Sequence, residues 1–377
     1  MAKATLKQMT LLSPLPDLFT LADGRRVRTA EDWEIRRAEM MDLAVGLQYG
    51  GMPPQPEFLE VETLYRSDRA SSYRLHTGRR EKEITFVMQI VWPGKKMAKY
   101  PVIVDGDGCF PYVYLDEHLA LLREAGVAMV RFNRVELAHD IKEDVHTDGL
   151  YAVYPNMTFS ALAAWAWGYH RCVDALLQLG IVDESIIAYT GHSRGGKTAL
   201  LAGVTDTRAT IVNPNGSGAG GAGCYRIHSE TVCEDGTEKR SEELRDLMKN
   251  FPFWFGPGMA QYVENEGEIP FDEHFLKALV APRILLDTEA LSDAWANPAG
   301  AYMTHLAAQE AFGFLGVPEN NLIHYRDGFH YHKPEDMAVL LNVIRHVRDG
   351  EPLCEDMNQP PFPGLQPVHE WHAPENA

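Results

Sequence analysis

Residues 191–195 read Gly-His-Ser-Arg-Gly, a serine with a glycine two positions to either side. The run before it, Ser185 to Tyr189, is apolar and of strand length, and the run after it, Arg194 to Val204, is helix-forming. A serine hydroxyl can act as a nucleophile when a sharp strand-to-helix turn lifts it out of a sheet. Glycines two residues away let the backbone make that turn without a clash. The N-terminus of the following helix then faces the site and favours developing negative charge. The bland alternative is a glycine-rich helix start around a structural serine.

A nucleophilic serine needs a base and an orienting acid. After a turn of this kind they follow in the chain order serine, acid, histidine. His330 lies in HYRDGFHYH, after a predicted strand and before a predicted helix, with His332 and His324 as competitors. Three neighbouring histidines could suggest a metal, but no carboxylate or cysteine spacing there supports one. Neither a metal nor a cofactor is expected. The acid is sought in RILLDTEALSDAWANP, residues 283–298, a strand followed by a turn. Asp287 ends the strand, and Asp293 sits in the loop before Trp295 and Pro298, where it can bend towards His330. Glu289 is the alternative. Two backbone N–H groups are needed to hold an oxyanion. One is expected from Arg194 and the other from the loop Asp105 to Phe110, with Gly108 and Cys109 as donors.

These residues need a frame. Strands are predicted at 83–92, 101–104, 127–132, 185–189, 210–213, 283–287 and 321–325, and helices at 31–47, 115–125, 157–179, 194–204, 299–314 and 335–348. Apolar strands alternating with helices predict an α/β fold with a mostly parallel sheet covered on both faces. The chain is read as one domain over 1–377, with an N-terminal wrapping segment over 1–80 and a cap-like insertion over 224–270. Within the insertion, FPFWFGPG carries Trp254 and Phe255, expected to form an aromatic wall of the cleft.

Lys plus Arg is 35 and Asp plus Glu is 53, a net charge of −18, which repels phosphate backbones and argues against nucleic-acid binding. No apolar run approaches the ~18 residues of a membrane span. The N-terminus carries an initial Met and no secretory apolar core, so a cytoplasmic location is expected, with secretion the alternative if a signal has been removed. The five cysteines are widely spaced without a CxxC and are expected to be reduced thiols.

With these residues in view, the chain resembles the glucuronoyl esterases, a carbohydrate-esterase family of the α/β-hydrolase superfamily. The resemblance is carried by LPDLFTLADGRRVRTAEDWEIRRAEM, GHSRGGKTALLAG, GSGAGGAGCYR, FDEHFLKALVAPRILL and the GFHYH turn. It implies a serine carboxylic-ester hydrolase acting on a carbohydrate-linked ester such as a glucuronoyl ester. It further implies Ser193 as nucleophile, His330 as base, the Arg194 side chain as oxyanion support, Lys197 as a contact to sugar hydroxyls and Trp295 as a sugar platform. The chain departs from the family in three places. Gly216 stands where some members carry the triad glutamate, which moves the acid to the loop of Asp293. His192 stands at the family's half-cystine, so that disulfide is absent. The Gln and Glu that contact uronate hydroxyls have no clear counterparts in 234–250. A short-acyl esterase, or an inactive hydrolase-fold binding protein, is the alternative reading.

Overall fold

The apolar run that ends at the elbow lies inside a nine-stranded sheet. The structure is a computed structural model describing residues 3–108, 110, 114, 116–143 and 146–374. Its strands are β1 (Thr5–Leu11), β2 (Phe58–Arg66), β3 (Ala70–Arg79), β4 (Lys82–Val91), β5 (Tyr100–Asp105), β6 (Ala128–Phe132), β7 (Val182–His192), β8 (Ile211–Asn215), β9 (Ile227–Val232), β10 (Glu238–Arg240), β11 (Ile284–Ala290) and β12 (Asn321–Arg326). Its α-helices are α1 (Ala30–Met41), α2 (Asp116–Ala125), α3 (Gly149–Val153), α4 (Ala161–Leu179), α5 (Arg194–Thr205), α6 (Leu244–Asn250), α7 (His274–Val280), α8 (Pro298–Phe314) and α9 (Pro334–Asp349).

The large sheet runs β12-β11-β8-β7-β5-β6-β4-β3-β2. Pairings from β6 through β5, β7, β8 and β11 to β12 are parallel, while β2, β3, β4 and β6 pair antiparallel. Alternation along β7 covers both faces. Ile187 and Tyr189 enter the cluster that holds α4, α5 and α7, and Ile186 and Ala188 enter the one that holds α2 and α9.

Three expectations about elements change. Residues 58–79 are β2 and β3, two strands of the sheet rather than part of a wrapping segment. Only β3 shows clear alternating burial, because β2 is the exposed edge, so the pattern in the sequence is weak. The helix expected from 157 begins at 161, where the Ser160 hydroxyl accepts from the Ala163 N–H at 3.3 Å. It is also buried nearly all round, Trp167 donating to the Pro54 carbonyl at 2.8 Å under the Arg171 guanidinium. The insertion is not irregular throughout. Its β9 pairs with β1 and β10 in a second, three-stranded antiparallel sheet that ties it to the N-terminus.

Candidate active site

Ser193 sits between β7 and α5 with φ 58 and ψ −121, a left-side backbone that only a forced turn imposes on a serine. Its N–H donates to the Asn215 carbonyl at the end of β8, 2.9 Å away, and its carbonyl starts α5 by accepting from Lys197 N–H at 3.0 Å. A Cβ at Gly191 would collide with the Gly195 carbonyl, and one at Gly196 would lie 2.8 Å from the Asn215 carbonyl oxygen. The glycine spacing seen in the sequence is therefore a backbone contact across the elbow. Gly191→Ala is expected to lower the thermal midpoint and most of the activity together, because the turn must open to admit the methyl. A variant with an unchanged melting curve and full turnover would contradict that close approach.

His330 follows β12 in the turn before α9, and its Nδ1 lies 2.6 Å from Asp293 Oδ2. Asp293 caps the short 3-10 turn at 294–296, accepting from Ala296 N–H at 3.3 Å through Oδ1. Asn297 stiffens the same loop in a left-handed conformation (φ 61), capping α8 at Gly300 N–H and donating to the Ile227 carbonyl. Glu289 points elsewhere. It is buried within the structure, neither carboxyl oxygen has a hydrogen-bond partner among the described residues, and burial pushes its carboxyl well above the usual range. Asp287 is the buried partner of the Lys277 ammonium at 2.5 Å. His324 pairs with Asp356, away from the serine, while His332 lines the cleft and packs its ring 5.2 Å from His118. A Cβ at Gly216 would stand 3.4 Å from Asp293 Oδ2, so the end of β8 and the loop after β11 converge on one spot.

His192, just before the serine, supports the histidine. Its ring lies 4.5 Å from that of His330, and its Nδ1 is 2.6 Å from Asn215 Oδ1, to which it donates. Burial lowers His192 to about 4, so it stays neutral.

Two cavities meet at Ser193 and His330. The larger, about 390 Å³, is lined by Asp107, Arg134, Asp140, Arg194 and His332 among others. From the loop after β5 it is Asp107 that lines this cleft. Gly108, the expected donor, is not among the lining residues, and its carbonyl accepts from Arg131 at 3.1 Å. Cys109 lies outside the described residues. Asp140, which no sequence signal marked, organises this wall. It accepts from Arg194 at 2.7 Å, from Arg134 at 3.0 Å and from the Trp254 indole at 3.1 Å. The Arg194 guanidinium lies over Trp254 and Phe251, which stack 3.9 Å apart.

The smaller cavity, about 190 Å³, is lined by Lys197, Gly216 to Gly218, Glu242, Phe251, Trp254, Trp295 and Ala296. The buried Lys197 ammonium donates to the Ser217 and Ala219 carbonyls at 2.5 Å and reaches Glu242 at 3.4 Å. Burial raises the Glu242 carboxyl above its usual range against the pull of that ammonium. Within 234–250, where the sequence shows no clear counterpart of the family's Gln and Glu, Glu242 lines this cavity. Its side chain reaches the pocket because the insertion folds back, Glu242 N–H donating to the Trp295 carbonyl at 3.0 Å. Trp295 is 40 % exposed at the rim, beneath the Arg240 guanidinium. Trp254 lines the pocket. Phe255 does not: its ring stacks on Tyr49 inside the core, 6.4 Å away.

A strained serine elbow between β7 and α5 of the nine-stranded sheet, with a histidine–aspartate pair delivered from beyond the ends of β12 and β11, defines an α/β hydrolase with serine-esterase architecture. The family described as "Glucuronyl esterase, fungi" matches residues 75–316. The chain is 34% identical over 313 residues to a 4-O-methyl-glucuronoyl methylesterase of Schizophyllum commune, covering 82% of this chain and 75% of that protein. It is 33% identical over 311 residues to the enzyme of the same name from Hypocrea jecorina, covering 81% and 63%. Among solved structures it is similar to a carbohydrate esterase family 15 glucuronoyl esterase from Caldicellulosiruptor kristjansonii, with TM-score 0.84, 28% identity and coverage of 96% and 97%. A glucuronoyl esterase from Sporotrichum thermophile, solved with methyl 4-O-methyl-β-D-glucopyranuronate, superposes with TM-score 0.74 at 26% identity, covering 92% and 91%. The chain belongs to the glucuronyl esterase family and is a carboxylic ester hydrolase. No described helix is long and apolar enough to cross a membrane.

Proposed function

We propose that this enzyme cleaves the ester of a glucuronic acid carried on a carbohydrate, with Ser193, His330 and Asp293 as its triad. The observation that carries the reading is the junction at Ser193. The bonded pair His330–Asp293 closes one side, and the pocket of Lys197, Glu242 and Trp295 opens beside it.

Asp293 engages Nδ1 of His330, so the ring offers Nε2 to the serine. The Ser193 hydroxyl adds to the ester carbonyl carbon while His330 takes its proton. The carbonyl electrons move to oxygen, where the Arg194 N–H at the start of α5 and the Arg194 guanidinium, steadied by Asp140, stabilise the charge. Collapse expels the alcohol, which receives the proton from His330. Water then releases the uronate by the same steps in reverse order. The sugar lies in the smaller cavity, stacked on Trp295 with its hydroxyls bonded by Glu242, while Lys197 holds Glu242 and the glycine-rich turn in place. The leaving alcohol faces the larger cleft.

A panel of methyl glucuronate, benzyl glucuronate, p-nitrophenyl acetate and an acetylated sugar tests the substrate class. The glucuronate esters are expected to have the highest kcat/KM. A clear preference for the acetyl esters would assign a short-acyl esterase instead. Trp295→Ala removes an exposed ring without opening the core. It is expected to raise KM for methyl glucuronate about 10-fold, given roughly 1–1.5 kcal/mol for an aromatic contact. The rate on p-nitrophenyl acetate should stay within about twofold, and an equal loss on both esters would remove the sugar platform.

A further inference from the structure

The C-terminal segment carries His369-Glu370-Trp371-His372, and its indole is anchored: Trp371 Nε1 donates to the Leu15 carbonyl at 2.9 Å, and the ring faces Phe19 and His274. The two flanking histidines turn to the same carboxylate on α8. Glu310 Oε1 lies 3.0 Å from His372 Nδ1 and 3.7 Å from His369 Nε2. All three ligand atoms lie within 4.8 Å of one another.

His369 is the unusual member. It is 7% exposed, its Nδ1 has no hydrogen-bond partner among the described residues, and its Nε2 stands too far from Glu310 for a normal hydrogen bond. A buried imidazole aimed at a carboxylate across that gap is poorly satisfied by protein alone. Ligands about 2.0–2.1 Å from a tetrahedral zinc stand roughly 3.3 Å apart, and the two separations at Glu310 straddle that value. His372 is largely exposed, which leaves a fourth position to water.

We infer that Glu310, His369 and His372 form a binding site for a zinc-like divalent cation, clasping the C-terminal segment to α8. Two other clusters are weaker. Glu243 beside His228 is already paired with Arg240 and Arg245. The Cys354 thiol beside His324 is pushed up to about 11, away from the thiolate a metal requires.

The test is calorimetric titration of zinc chloride into chelator-stripped full-length protein, paired with melting curves. Wild type is expected to bind one equivalent and to melt higher with zinc, since a ligand of the native state alone raises its stability. His372→Ala changes an exposed side chain and keeps the fold. It is expected to bind zinc at least about 10-fold more weakly and to lose the melting shift, with turnover of a small ester unchanged. No saturable binding by wild type would overturn the site. So would equal affinity and stoichiometry in His372→Ala, which would place the zinc at another cluster.

Discussion

Alanine at position 193 is expected to lower kcat by roughly 10³-fold or more while leaving the melting curve near that of the wild type. The serine side chain is not what holds the elbow. The turn is fixed by the Ser193 N–H to Asn215 carbonyl bond, by the start of α5 and by the contact of Gly191 with Gly195, all of which alanine retains. Loss of the hydroxyl removes the only proposed nucleophile, and the base then has nothing to activate. His330→Ala should match it, because the two act as one unit. His332→Ala should be mild, since His332 lines the cleft with its ring against His118, while Asp293 bonds His330. Near-normal turnover in a clean Ser193→Ala preparation would remove the mechanism, and the opposite ranking of the two histidine variants would reassign the base.

The second large effect concerns the acid. Asp293→Asn is expected to lower kcat by roughly 10²–10⁴-fold, because an amide in place of the carboxylate no longer favours the tautomer and the imidazolium that catalysis needs. Glu289→Gln is the matched control, and it should leave kcat within about twofold. Burial raises the Glu289 carboxyl and favours its neutral form, which the amide matches in shape. Stability tells the same story with a defined sign. The folded-state pKa of Glu289 is raised, so its carboxyl loses its proton in the unfolded chain near pH ~4.3 while the folded chain keeps it. Folding therefore loses stability as pH rises from that value towards the folded pKa, and glutamine escapes the loss. Glu289→Gln should gain in melting temperature relative to wild type as pH rises above about 4.3. A large fall in kcat in Glu289→Gln with an active Asp293→Asn would exchange their roles.

The contrast between these carboxylates shows where sequence reading stops. Both lie in one strand-and-turn stretch, and chain order alone admits either. The loop around Asn297, with its left-handed backbone and three side-chain bonds, turns Asp293 towards His330. Alternation along β11 instead sends Glu289 into the interior. The same limit applies to the aromatic pair in the insertion. Trp254 and Phe255 are neighbours of like character, but successive side chains diverge, so one joins the cavity wall and the other packs on Tyr49.

The sequence by itself determined the elbow, its strand and helix, and the parallel core. Each of these rests on local signals: glycine spacing, apolar periodicity and residues a few positions apart. Tertiary structure alone decided that Glu242 faces Lys197, that Asp140 binds Arg194, Arg134 and Trp254, and that His192 lies against His330. Most of these partners are tens of residues apart and carry no shared pattern. His192 lies close to the elbow, but its partner is brought in from the far end of the sheet. Such contacts exist only once the strands have paired in order and the insertion has folded back through β9 onto β1, since proximity in space is set there by sheet register rather than by distance along the chain.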